Sequence, residues 1–454
     1  MRHDKMTFYV RLVYCTSIMA IHQFVVGCSL HFSAIFLAQV RRLPSSDIAV
    51  NHQQASWIAS GPFLMCPVGL VIIGVLADKI GRRKALQVSY IPLVLGWIIL
   101  AYAENLNAII AGRIILGFSL GAGTCVYLYL AEVCPAVHRP LFFGLITVAV
   151  ALGTYTMPAM AVDYDWRTLS LMNVVLSITG VLALFAVPES PMWQWHAGLD
   201  QEAKATERWW GMANMLPTCT VVKVSSGSIA WTSKSVWKPA LHAMIFFACQ
   251  QGTGVYVLVS YTVDALRDYR VPSDTITITT WLSVARIAGS ALYAFLYTVN
   301  RKTLTVISSL GMFVAMSIVM GYTCIVQDIP ESPSYGKFIL PPAFILYFFF
   351  GVLGTIPLPW AMCGELFPMG VKGTMTGLVY SCGFFGMLLA IQIYPMLVSA
   401  SGIMSVWSFF CVFCLITAAY GAFFMPETKG KSLDEVLRYF EDPQERIERG
   451  SNKR

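Results

Sequence analysis

Twelve apolar stretches of twenty or so residues recur along this chain, near 11–38, 54–77, 85–103, 107–131, 141–162, 168–187, 239–263, 275–298, 303–325, 338–361, 373–399 and 403–425. A helix needs about 20 such residues to cross the hydrocarbon core of a bilayer. Inside that core every backbone polar group must find its partner within the protein, which leaves helices as the natural spanning element for runs of this length. The expected fold is therefore an all-α membrane protein with twelve transmembrane helices. Composition agrees: 57% of the 454 residues are hydrophobic and 12% are charged, against roughly 25% charged in soluble domains. The formal net charge of +7 has no polar basic face to present, so no nucleic-acid partner is expected, and these charges read as topology determinants.

Between the sixth and seventh runs lies a polar stretch, 188–238, containing DQEAKATERWW and then a Ser-rich segment. The charge pattern of the first part suits a short surface helix. The organisation expected is an N-terminal six-helix bundle (1–187), a cytoplasmic linker with short helices (188–238), a C-terminal six-helix bundle (239–425) and a cytoplasmic tail (426–454). Placing both termini in the cytoplasm puts 23 of the 31 Lys and Arg residues on the inside. The outside loops then keep only Arg41, Arg42, Arg167, Arg267, Arg270 and Lys337. That bias fits the positive-inside rule and a multi-pass protein of the cell membrane. The N-terminal MRHDKMTFYVRL is expected to lead into a retained first span, because the apolar run behind it is too long for a signal peptide.

The two halves echo each other. Glu132 precedes Arg139 by seven residues at the end of span 4, and Glu365 precedes Lys372 by seven at the end of span 10. Span 6 ends in Pro188-Glu189-Ser190, and span 12 in Pro426-Glu427-Thr428. Internal duplication of this kind is how secondary transporters build a site between two related bundles. Between spans 2 and 3 stands GVLADKIGRRK, with Asp78 and the basic triplet Arg82, Arg83 and Lys84. Asp78, Arg82, Arg83, Glu132, Arg139, Glu189, Glu365, Lys372 and Glu427 thus form a candidate cytoplasmic gate. Each exposed ion pair is worth about 0–1 kcal/mol, yet a network of them biases a two-state equilibrium on the scale a switch requires.

GVLADKIGRRK, GRIILGFSLG (112–121), YLAEVCPAVHR (129–139), PESPMW (188–193), QQGTGV (250–255), PLPW (357–360), GELFP (364–368) and PETKGKSLDEV (426–436) occur in order over nearly the whole chain. In these motifs the chain resembles the sugar porter family of the major facilitator superfamily, and within it is most similar to the insect facilitated trehalose transporters. The resemblance implies two pseudo-symmetric six-helix bundles that move a sugar, with amides on span 7 and an indole on span 10 at the site. Here Gln250 and Gln251 keep the amides, Tyr256 stands where the family has Asn, and Trp360 supplies the indole. Thr147 falls at the family's polar position in span 5, and the span 11 Asn-Trp pair is replaced by Gly383-Phe384. Amides suit sugar hydroxyls because each offers a donor and an acceptor; the same amides can instead tie helices together. After span 8 the second signature loop reads YTVNRK (297–302), with Tyr297 at the acid position, so the closure on that side is expected to be weaker.

No Asp or Glu occurs between Asp4 and Asp47, so span 1 lacks the intramembrane acid on which proton coupling usually depends. The expected activity is facilitative uniport of a trehalose- or hexose-class sugar by a monomer in the bilayer. A proton-coupled symporter and a non-transporting sugar sensor on the same fold are the alternatives. No enzymatic chemistry, cofactor or metal is expected. The Cys411–Cys414 spacing sits inside an apolar run without a second ligand pair, and GFSLG (117–121) lies mid-span, where close helix packing is its role. Arg286, deep in span 8, either faces a cavity or snorkels to the surface, since a charge at membrane depth is costly.

Overall fold

A computed structural model of the chain describes residues 2–42, 50–211, 234–268, 275–326, 336–431 and 433–440. The Ser-rich part of the linker, 212–233, and the tail beyond 440 lie outside the described residues. Spans 1 to 3 are α1 (Arg2–Arg42), α2 (His52–Ile80) and α3 (Arg82–Ala101). Span 4 is broken into α4 (Leu106–Leu120) and α5 (Gly123–Val133), and spans 5 and 6 are α6 (Arg139–Met160) and α7 (Trp166–Leu184). Two short helices follow, α8 (Pro191–His196) and α9 (Asp200–Trp210), the second covering DQEAKATERWW. Span 7 is α10 (Lys234–Gly252) and α11 (Val255–Asp268), and spans 8 and 9 are α12 (Thr275–Phe295) and α13 (Arg301–Val326). Span 10 is α14 (Gly336–Leu353) and α15 (Pro357–Leu366). Spans 11 and 12 run together as α16 (Lys372–Ala419), divided at Gly402, whose φ of 77° no continuous helix allows. A short α17 (Leu433–Phe440) closes the described chain.

Among the described residues ten stretches are long and apolar enough to cross a bilayer; the last, Met369–Phe424, holds both spans 11 and 12, and α12 completes the set of twelve. Local sequence sets the helix ends. Asn51 and Gln54 form a reciprocal capping box at the start of α2, which satisfies two otherwise orphaned backbone donors. The Asn105 side chain accepts from Ala108 N at 2.9 Å to start α4. Gly81 sits at φ 108°, between α2 and α3, a conformation that glycine adopts at no steric cost.

Phe8 of α1 packs on Trp210 of α9 with ring centroids 5.8 Å apart, and Phe440 of α17 packs on His242 of α10 at 5.8 Å. The start of α1, α17 and the linker helices therefore share one face of the bundle, called here the terminal face. One buried core lies within the first half, around Trp97 and Tyr129, and a second within the other, around Tyr347 and Trp407. A third, containing Leu70, Leu120, Phe247, Phe367 and Tyr380, crosses between the halves. The seam is built from span 2 lying along span 11 and span 5 along span 8. Gly117 and Gly121 of GFSLG lie against span 2, where a Cβ on Gly121 would stand 2.6 Å from Leu70 N.

Candidate functional site

At the terminal face the duplicated charges form two related clusters. In the first half Arg82, fully buried, donates from Nε to Glu132 Oε1 at 3.0 Å and from Nη1 to Asp78 Oδ1 at 3.2 Å and to the Ala77 carbonyl at 2.6 Å. Glu132 Oε2 accepts from Ser190 Oγ at 2.5 Å. Glu189 caps the start of α3, accepting from the backbone of Arg82 at 2.9 Å, Arg83 at 3.0 Å and Lys84 at 3.4 Å. A carboxylate belongs there, because orphan N–H groups and the helix dipole both favour an anion. Burial pushes the Glu189 carboxyl up, against the pull of the Arg83, Ser190 and Lys84 N–H groups. Arg83 donates to the Val187 carbonyl at 2.9 Å, which fastens span 6 to the same loop.

The second half repeats the plan. Arg301 meets Glu365 at 2.8 Å and 2.9 Å and donates to Thr428 Oγ1 at 2.7 Å. Glu427 accepts from Lys302 N at 3.2 Å at the start of α13, the counterpart of Glu189 on α3. In the sequence Arg301 stands with Lys302 as the basic remnant of the second signature loop, outside the candidate gate, since that loop lacks the acid that marks the first copy. The pairing within this half is nevertheless as short as in the first.

The two halves are bridged differently on their two sides. Across spans 2 and 11, Asp78 Oδ1 accepts from Gly373 N at 2.8 Å, and Oδ2 accepts from Thr374 N and Thr374 Oγ1, both at 2.8 Å. Gly373 permits this approach: a Cβ there would lie 2.8 Å from Asp78 Oδ1. Lys372 Nζ stands 3.7 Å from Glu132, and Arg139 Nη1 stands 4.0 Å from Glu365, so both pairs cross the seam at longer range. On the other side, Tyr297 replaces the second acid and stacks on His138, centroids 6.4 Å apart, beside Tyr9. The contact across the seam on that side is aromatic.

The second set of residues meets at mid-depth. Gln250, fully buried, donates both amide hydrogens to the carbonyls of Thr355 at 2.8 Å and Ile356 at 2.9 Å, in the break between α14 and α15. A broken span frees carbonyls that need donors, so Gln250 holds span 10 in place. Gln251 donates to the Gly383 carbonyl at 3.1 Å, leaving its buried Oε1 without a partner. Gly383 has no room for a longer residue, since a Cβ would lie 2.7 Å from the Phe247 ring. Its carbonyl supplies the polar contact instead. Trp360 is walled by Phe247 at 4.7 Å, Tyr380 at 4.7 Å and Phe384 at 5.0 Å, and its indole lies beside the Tyr256 phenol. Thr147 donates to the Phe143 carbonyl at 3.1 Å and lies beside Tyr127 of span 4. Tyr127 carries no distinguishing sequence signal, being one aromatic in an apolar run. Tyr256, Trp360, Thr147 and Arg286 all remain partly accessible.

Arg113 of span 4 turns into the first bundle, donating to the Ser29 carbonyl at 2.7 Å and the Ile58 carbonyl at 3.1 Å. It is thus paired with backbone oxygens of spans 1 and 2. Among the described residues no carboxylate pairs with Arg113.

A seam between two related six-helix halves, latched at one face and polar at mid-depth, defines the major facilitator class of membrane transporters. The family profile described as "Sugar (and other) transporter" matches residues 12–440, and the chain belongs to that family. It is 25% identical over 430 residues to the facilitated trehalose transporter Tret1 of Aedes aegypti, covering 91% of this chain and 53% of that protein. It is 26% identical to Tret1 of Polypedilum vanderplanki, covering 91% and 85% of the two chains. The chain thus spans about half the length of the first relative and most of the second. Among solved structures it resembles the proton:xylose symporter XylE bound to 6-bromo-6-deoxy-D-glucose, with a TM-score of 0.77 at 19% identity over 93% of this chain and 99% of that one. Against a partially occluded, inward-open conformation of XylE from E. coli the TM-score is 0.70 at 17% identity, over 93% and 99%.

Proposed function

We propose that this protein is a facilitative carrier of a hexose- or trehalose-class sugar, working by alternating access, with both termini in the cytoplasm. The observation that carries this reading is the seam itself. Polar side chains contributed by both halves meet at mid-depth, while Asp78 alone makes three bonds to span 11 that close the terminal face. Parting those bonds and re-forming a closure on the opposite face would expose the mid-depth residues alternately to each side. Gln251 and Tyr256 offer polar atoms to sugar hydroxyls, and Thr147 lies on the facing span 5. Trp360 provides a wall for the C–H face of a ring. Gln250 supports that wall from behind. The gate comprises Asp78, Arg82, Arg83, Glu132, Arg139, Glu189, Glu365, Lys372 and Glu427, with Arg301 added from the geometry. The seam lies within a single chain, which favours a monomeric unit, and the names of the insect relatives support a sugar as substrate.

The absence of Asp and Glu between positions 4 and 47, with Arg113 held by carbonyl oxygens, favours uniport. The test is uptake of labelled trehalose and glucose by the purified chain in proteoliposomes. Uptake should level off at the external concentration whether or not an inward proton gradient is imposed. Accumulation above that level, abolished by a protonophore, would overturn uniport; no uptake of either sugar would overturn a neutral hexose or trehalose as the substrate.

A further inference from the structure

Among the described residues Arg286 has no counter-charge. Among the described residues it makes no hydrogen bond and no ion pair, and its Nε is buried without a partner. Lipid is not where it points. On α12, Ser283 donates to the Thr154 carbonyl of span 5 at 3.5 Å, and a Cβ on Gly144 of span 5 would meet Ala294. Arg286 is three residues from Ser283 and eight from Ala294, on that same helical face, so it projects into the seam. Its electrostatic neighbours come from both halves: the Tyr256 phenol of span 7 and the His31 imidazole of span 1. His31 Nδ1 is also buried without a partner.

An unneutralised guanidinium at membrane depth is expensive and stays only where something offsets it. Every buried arginine among the described residues has an oxygen: Arg82 has Glu132, Arg301 has Glu365, Arg139 has the Cys134 carbonyl, and Arg113 has the Ser29 and Ile58 carbonyls. Among the described residues Arg286 differs from these in making no bond to any oxygen, and it adjoins Tyr256.

We propose that Arg286 is the counter-ion of an anionic substrate, so that the transported sugar carries a carboxylate, as a hexuronate does. The carboxylate takes the planar fork of Arg286, which suits bidentate oxygen pairs. The ring hydroxyls are left to Tyr256 and Gln251, and the ring face to Trp360. The proposal rests on the sugar-carrier reading and narrows its substrate class. It also makes transport electrogenic, because the carrier otherwise gains no charge at this point.

The experiment uses the full chain in proteoliposomes and measures uptake of labelled D-glucuronate and labelled D-glucose separately. The methyl ester of glucuronate, of the same ring shape without the charge, is the competitor control. Glucuronate should enter, and should compete about tenfold better than its ester, the scale of one charge-assisted hydrogen bond. An inside-negative potential should slow its uptake. Arg286→Gln should abolish the preference for the acid over the ester, and Arg286→Lys should keep it in part. Glucose uptake without glucuronate uptake, or equal competition by acid and ester, would overturn the anionic substrate and leave the sugar carrier standing. Uptake of neither would overturn both. Where Arg286→Gln does not fold, the acid-to-ester ratio in the unaltered protein decides the matter.

Discussion

Replacing Asp78 by Asn tests the latch where the structure makes it strongest. The carboxylate accepts three bonds from span 11, each at 2.8 Å, two of them from the first-turn N–H groups of α16. Asn offers one oxygen where the aspartate has two, and turns an amide N–H₂ toward backbone donors. In the open state water replaces the lost partners, so the net value of each bond is about 1 kcal/mol rather than its gross strength. The oxygen that Asn keeps still accepts from span 11, so at most two of the three bonds are lost, which gives about 2 kcal/mol, a shift of roughly 30-fold in the ratio of closed to open terminal face. The opposing aromatic contact of Tyr297 with His138 remains and limits the full effect. The native thiol of Cys134 reports the change: it is 2% exposed at the end of span 4, and burial pushes it well above the ordinary thiol range. Labelling with a maleimide and locating the modified residue by mass spectrometry should show Cys134 reacting at least tenfold faster in Asp78→Asn than in the parent. Labelling of Cys324, exposed on span 9, should not change. If Cys134 reacts within twofold of the parent rate, the three bonds do not hold the face shut and the reasoning fails.

Three further outcomes follow from the same geometry. Glu365→Ala leaves Arg301 buried without its partner and should cost about 3–5 kcal/mol of stability in detergent, whereas Arg139→Ala, which loses a contact to Glu365 at 4.0 Å and the Nε bond to the Cys134 carbonyl at 3.1 Å, should cost about 1.5–3 kcal/mol; equal melting of the two variants would contradict this ranking. Trp360→Ala should raise the KM for sugar uptake about tenfold while surface expression is unchanged, and Trp360→Phe should recover part of it; normal uptake by the alanine variant would place the site elsewhere. Gly383→Ala drives a methyl against Phe247 and should destabilise by about 1–3 kcal/mol, with Phe247→Leu in the same chain relieving most of the loss.

The twelve spans, the linker helix over DQEAKATERWW and the paired ends of spans 6 and 12 are legible in the sequence because they rest on length, charge and local repetition. What the spacing of Gln250 and Gln251 does not disclose is which carbonyls lie open to them. That depends on a break in span 10, one hundred residues away, which orphans the oxygens of Thr355 and Ile356. Arg301 was hidden by Tyr297: the lost acid makes the second loop look degraded, although the ion pair with Glu365 does not involve that position. Tyr127 offers nothing to distinguish it from a core aromatic until span 5 brings Thr147 beside it. Arg286 shows as anomalous in the sequence, and its two open alternatives are separated only by the neighbours on spans 1, 5 and 7.

The central claim is that the halves part at Asp78 and Thr374 during every transport cycle. Cysteines placed at both positions and joined by a short bifunctional thiol reagent would lock that contact. Sugar uptake should stop in the cross-linked double variant, return when a cleavable linker is reduced, and persist in each single-cysteine variant treated the same way. Uptake that continues at the parent rate with the two residues joined would contradict alternating access through this seam.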